Sequence, residues 1–144
     1  MMFSFLIGKF FFLGESKYMP GTIASFVGGL LWMVVPENFY LRIFIIICTW
    51  IIGHYAINNI LKDSHESDPP SIVIDEVIGI WISCIFINDN LVMFLMAFIL
   101  FRFFDIIKPS FVYHSQKING AWGIILDDVL AGLLTSIILL SSSL

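Results

Sequence analysis

The sequence predicts an all-α membrane protein, a polytopic bundle of about five spanning or partly spanning helices plus an N-terminal interfacial or re-entrant segment. Three observations lead there. Of 144 residues, 59% are hydrophobic and only 12% charged, about half the charge that coats a soluble domain. The mean hydropathy is +0.97. The apolar residues also gather into long runs separated by short polar connections. The length fits a single domain, residues 1–144, and no repeat or long linker divides it. The formal charge of −4 is small and there is no basic patch, which argues against nucleic-acid binding. Cys48 and Cys84 lie inside apolar runs without CxxC spacing. They read as small buried hydrophobes.

The elements follow in order. Residues 1–13, "MMFSFLIGKFFFL", resemble a signal-peptide core, but Lys9 interrupts the run and no cleavage pattern follows. They read as a retained segment lying at the interface or dipping into it. Apolar segments then occupy roughly 21–35, closed by Pro36, and 40–58, 72–87, 91–107 and 122–140. A spanning helix needs about 20 residues, and about 17 at the least, so the first and third are marginal. The longest polar connection, "LKDSHESDPPS" at 61–71, is a loop of Asp, Ser and Pro.

If the segments alternate in direction, Lys9, Lys17, Lys62, Arg102, Lys108 and Lys117 fall on one side and only Arg42, placed to snorkel, on the other. The rich side is then cytoplasmic and the terminal "SSSL" external. On the same map Asp75 and Glu76 open the third segment, Asp127 and Asp128 open the fifth, Asp105 closes the fourth, and "PGT" at 20–22 opens the first. All of them fall on the rich side. Composition alone does not require that convergence.

Buried carboxylates are expensive unless paired or bound to metal. Adjacent helical residues point about 100° apart, so each acidic pair can turn one member toward the bundle centre. Up to four carboxylates around one spot would repel one another. A hard cation such as Mg²⁺, which prefers oxygen ligands, resolves that conflict. Acids at a helix N-terminus also complement the macrodipole, which is the plainer explanation for either pair alone. In "FRFFDIIKP", 101–109, Arg102, Asp105 and Lys108 are spaced three apart on one helix face. They form an intrahelical ion pair with snorkelling ends, or Arg102 and Lys108 hold an anionic group beside the metal. Thr22 stands at a helix start, where N–H groups bind anions or a hydroxyl caps. Gly28, Gly29, Ala131, Gly132, Thr135 and Ser136 read as helix-packing positions. His54, His65 and His114 share no ligand spacing. With no phosphate-binding GxxxxGK[ST] loop and no nucleophilic triad in view, the kit suits phosphoryl transfer or hydrolysis.

Four stretches in order then resemble the phosphatidylglycerophosphatase A family of bacterial membrane phosphatases. They are "PGTIAS" (20–25), "DPPSIVIDEVIGIWI" (68–82), "FRFFDIIKP" (101–109) and "NGAWGIILDDVLAG" (119–132). Phe10 and Phe12 stand where that family commonly has small residues, and Gly120-Ala121 stands where it often has Gly-Gly. The resemblance implies Mg²⁺-dependent release of the terminal phosphate of phosphatidylglycerophosphate, giving phosphatidylglycerol. It implies an active site at the cytoplasmic face of the inner membrane. It also implies a site of Asp68, Asp75, Glu76, Asp105, Asp127 and Asp128 with Arg102, Lys108 and Thr22. Asp68 by itself would read as a loop-capping acid. In this expectation the metal is held by Asp75, Glu76, Asp127 and Asp128 together with Asp68. Asp75, Glu76, Asp105, Asp127 and Asp128 supply catalytic carboxylates, and Arg102, Lys108 and Thr22 hold the phosphate. The partners are the lipid substrate and bilayer lipids. The number of metal ions, the oligomeric state and the choice between attack by water and attack by an aspartate stay open. Other classes are a cation carrier, which would place its acids near mid-bilayer, and a non-catalytic membrane scaffold.

Overall fold

A computed structural model of the chain describes residues 2–64, 66–87, 90–109, 112, 115 and 118–142. His65, His114 and Lys117, and the end of the "SSSL" tail, lie outside the described residues. Among the described residues every regular element is a helix, and there is no strand. The helices are α1 (Met2–Gly8), α2 (Pro20–Trp32), α3 (Phe39–Asp63), α4 (Ile74–Ser83), α5 (Leu91–Ile107) and α6 (Ala121–Ser142).

Local chemistry sets most boundaries. Pro20 starts α2, where its missing N–H costs nothing. Asn38 caps α3 by accepting from the Leu41 N–H at 3.0 Å, and Asn90 caps α5 by accepting from Val92 at 2.9 Å. Lys108 ends α5 in the left-handed conformation (φ 48°), just before Pro109. The N-terminal segment begins with a helix of about two turns, seven residues long, docked on α3. Asn59 donates to the Ser4 hydroxyl at 3.3 Å, and the Val73 N–H donates to the Gly8 carbonyl at 2.9 Å.

Two helices, α3 and α6, are long and apolar enough to cross a membrane. The others are shorter. The third apolar run, expected over 72–87, forms a helix of only 10 residues, about 15 Å long against a hydrocarbon core of about 30 Å. It lies at the centre of the bundle with all but Glu76 and Trp81 of its residues buried. The carbonyls beyond its end are taken by other partners. Trp32 Nε1 donates to Cys84 O at 3.3 Å, and Arg42 Nη1 donates to Ile87 O at 2.9 Å.

Arg42 therefore does not snorkel. It is 3% exposed, also donates from Nη2 to Val35 O at 3.2 Å, and lies over the Trp32 ring. It ties together the loops that follow α2 and α4. Cys84 is buried and Cys48 partly so, both as free thiols. The small residues behave as packing positions. A Cβ on Gly29 would run into Phe94, and one on Gly132 into the Gly79 carbonyl.

Candidate active site at one end of the bundle

The start of α2, the start of α4, the end of α5 and the first two turns of α6 meet around one cavity of about 400 Å³. The 68–72 loop completes its wall through Asp68, Pro70 and Ile72. Thr22, Asp68, Asp75, Glu76, Arg102, Asp105, Lys108, Asp127 and Asp128 all line it. All nine residues expected at the site thus line one cavity. His54 is elsewhere, 3.0 Å from Asn58 Nδ2 through Nε2 and packed on Trp122.

The acids are not equivalent. Lys108 Nζ donates to Asp127 Oδ2 at 2.7 Å. Asp127 Oδ1 accepts from the Asp128 N–H at 3.0 Å. Arg102 Nη1 lies 2.6 Å from Asp105 Oδ2, one turn along α5. Two acids are therefore matched by two cations. Asp75, Glu76 and Asp128 form a second group, with one carboxylate oxygen of each within 4.8 Å of the others. Asp75 Oδ1, Glu76 Oε2 and Asp128 Oδ1 are buried without a hydrogen-bond partner among the described residues. The expected four-carboxylate ligand set is thus sorted by the fold. Asp127 turns to Lys108, while its neighbour Asp128 turns to α4.

Asp68 sits at the edge of the cavity in its loop. Burial first, then the charge of Asp127, raises its pKa above the ordinary 3.8. Burial opposes the charge on Lys108, but its hydrogen bond and attraction to Asp127 outweigh that, and its pKa is raised. Lys108 therefore carries its charge at neutral pH.

Sequence reasoning missed what sets the spacing of the trio. A Cβ on Gly21 would run into the Glu76 carboxylate, so α2 comes right up to that side chain. A Cβ on Gly79 would lie 2.5 Å from Phe101 and 2.9 Å from the Asp128 carbonyl oxygen. Gly79 and Gly132 together let α4 and α6 touch backbone to backbone. A signal was present, since Asp75 and Asp128 are each followed four residues later by glycine, in "DEVIG" and "DVLAG". One helical turn separates acid from glycine in both.

Such a site offers oxygen ligands to a hard cation, fixed cations for an anion, and carboxylates for proton transfer. Comparison with known proteins points the same way. The phosphatidylglycerophosphatase A family matches residues 6–142. A Bacteroides thetaiotaomicron protein, provisionally named a phosphatidylinositol-3-phosphatase, is 32% identical over 93% of this chain and 89% of its own. The Haemophilus influenzae phosphatidylglycerophosphatase A is 35% identical, covering 83% and 76%. The one from Escherichia coli is 33% identical, covering 88% and 75%. No solved structure matches the chain.

Proposed function

The chain belongs to the phosphatidylglycerophosphatase A family and is a lipid phosphatase, and from that premise we propose that it hydrolyses the terminal phosphate of phosphatidylglycerophosphate to leave phosphatidylglycerol, with Mg²⁺, at the cytoplasmic face of a bacterial membrane. One observation carries the site assignment: three carboxylates, each with a buried and unpartnered oxygen, share a cavity with a lysine and an arginine. Orphaned anionic oxygens this close suit a hard divalent cation, and Asp75, Glu76 and Asp128 would hold it. Bound there, Mg²⁺ would offset the carboxylate charge and make room for a phosphate dianion.

The chain's own groups do the rest. Arg102 and Lys108 line the same cavity and neutralise phosphate oxygens, Arg102 by its fork and Lys108 as a point charge. Asp127 and Asp105 hold those cations in place. In the hydrolysis a water oxygen bonds to phosphorus and the bond from phosphorus to the glycerol oxygen breaks. The leaving oxygen takes up a proton, and an acid of the cavity accepts the one that water loses. Attack by an aspartate would instead place water-derived oxygen-18 in a carboxylate after one turnover.

For the membrane setting, α3 and α6 cross while α2, α4 and α5 are embedded beside them. Lys9, Lys17, Lys62, Arg102 and Lys108 gather toward the site's end of the bundle, which the positive-inside rule puts in the cytoplasm. A cation carrier is less favoured, because Arg102 and Lys108 flank the acids and the acids stand at one end rather than midway. The test is purified chain in detergent, phosphatidylglycerophosphate, graded Mg²⁺ and a free-phosphate assay. Metal-dependent phosphate release is expected. A folded chain that releases none at any Mg²⁺ level overturns the proposal. The Bacteroides relative's name favours running a phosphoinositide beside it. Faster release from that lipid would reassign the substrate and leave the site as described.

A further inference from the structure

The charged cavity is lined on one side by the start of α2 and the last turn of α5. Lower in the bundle these two helices are zipped together. Phe26 of α2 packs on Phe94 and Phe98 of α5, with ring centroids 5.8 and 5.4 Å away. From Phe98 to Ile106 the chain rises about 12 Å. At that level Met19 and Pro20 face Ile106 across the cavity that the acids line. Met19 and Ile106 both border the charged space and are 65% and 66% exposed. Hydrophobes this exposed, at the lip of a polar cavity, call for an amphiphile rather than for water.

The outside of α5 supplies the rest. Val92, Leu95, Ile99, Phe103 and Ile106 are exposed at spacings of three and four residues, which makes one continuous apolar stripe. Its length is about 21 Å, more than the roughly 15 Å of one leaflet's hydrocarbon. The stripe ends at the cavity, so its apolar surface runs straight into the charged space.

We propose that the phosphorylated lipid reaches the cavity sideways from the leaflet, through the crevice between α2 and α5, with its glycerol region against Met19 and Ile106 and an acyl chain along the α5 stripe. The ligand class is a lipid phosphomonoester whose tails never leave the bilayer. Only the headgroup crosses from the crevice to Arg102 and Lys108. This deepens the lipid-phosphatase reading and rests on it. It adds where selectivity for the tail lies.

Two measurements test it. In the first, a phosphonate analogue of phosphatidic acid with a photoreactive acyl chain is irradiated with the chain in lipid nanodiscs containing Mg²⁺. The matching diacylglycerol serves as the comparison. The phosphonate should label α5 between Ile99 and Ile106 more strongly than the diacylglycerol, because the headgroup anchors it. Equal labelling of that stretch overturns the route, and this result does not depend on turnover.

The second compares kcat/KM for phosphatidylglycerophosphate with that for the chain-free glycerophosphoglycerophosphate. The double variant M19Q/I106Q should lower the lipid-to-chain-free ratio about tenfold, as losing apolar contacts of this size predicts. Ile137, exposed on α6, provides the control, and I137Q should leave the ratio unchanged. An unchanged ratio in M19Q/I106Q, or an equal fall in I137Q, refutes the route. A wild-type chain that hydrolyses neither compound refutes the activity instead, and the labelling still decides the route.

Discussion

Placing a methyl group on Gly132 should disable the site without touching a ligand. An alanine Cβ there would lie 2.5 Å from the Gly79 carbonyl oxygen and 3.2 Å from Ile82 Cβ. Ordinary contact begins at 3.4 Å, so α4 and α6 must move apart by the difference, about 0.9 Å. The obstacle is backbone, which cannot rotate away as a side chain would. Overpacking of this kind costs about 1–3 kcal/mol, which a stable bundle survives. The consequence for chemistry is larger. Asp128 stands one turn above Gly132, and Asp75 one turn above Gly79, so the same shift separates the carboxylates of the 4.8 Å trio. Misplacement by about 1 Å costs on the order of 100-fold in rate. The assay is phosphate release at graded Mg²⁺, with the unfolding temperature measured in the same detergent. Gly132→Ala should stay folded, with a modest fall in Tm, while kcat drops about 100-fold. Gly28→Ala, whose methyl would first meet the Val77 side chain, at 3.1 Å, should lose far less. If Gly132→Ala turns over near the wild-type rate, or if the two variants lose activity alike, backbone contact between α4 and α6 does not set the carboxylate spacing.

Further outcomes follow from the same geometry. Asp75→Asn, Glu76→Gln and Asp128→Asn should each reduce phosphate release by about 1,000-fold or more and raise the Mg²⁺ concentration needed for half-maximal rate, by analogy with losing a main charge-stabilising group. Full activity in all three would exclude them as ligands. Lys108→Met leaves Asp127, largely buried, without its cation, and breaking such a pair from one side costs up to about 3–5 kcal/mol. Adding Asp127→Asn should recover part of the lost stability but not the activity, and a double-mutant cycle with no coupling between the two would contradict the pairing. Arg42→Met should lower stability by about 2–4 kcal/mol, because carbonyls of Val35 and Ile87 lose a charged donor. Its kcat should hold, since Arg42 lies at the end of the bundle away from the cavity; a selective loss of turnover would show that the far end is coupled to the site.

The sequence by itself determined the class of element, the approximate span of every apolar helix but α4 and the end of the bundle at which the acids collect. These are properties of hydropathy and of local signals such as Asn38, Asn90 and Pro20, and they need no neighbours. Only the tertiary structure decided which acid meets which partner. Asp127 and Asp128 are adjacent in "DD", and their directions about the helix axis differ by about 100°. Which of them faces Lys108 and which faces Asp75 depends on how α6 is rotated against α4, and that is fixed where Gly132 meets Gly79. The length of α4 was hidden for a similar reason. Its apolar run continues to Ile87, but distant side chains, Trp32 and Arg42, claim the carbonyls past Ser83. Arg42 looked like a surface cation because a lone arginine near a helix start has water within reach. Loops separated from it by up to 45 residues in sequence gave it carbonyls instead, and no local pattern encodes a partner at that distance.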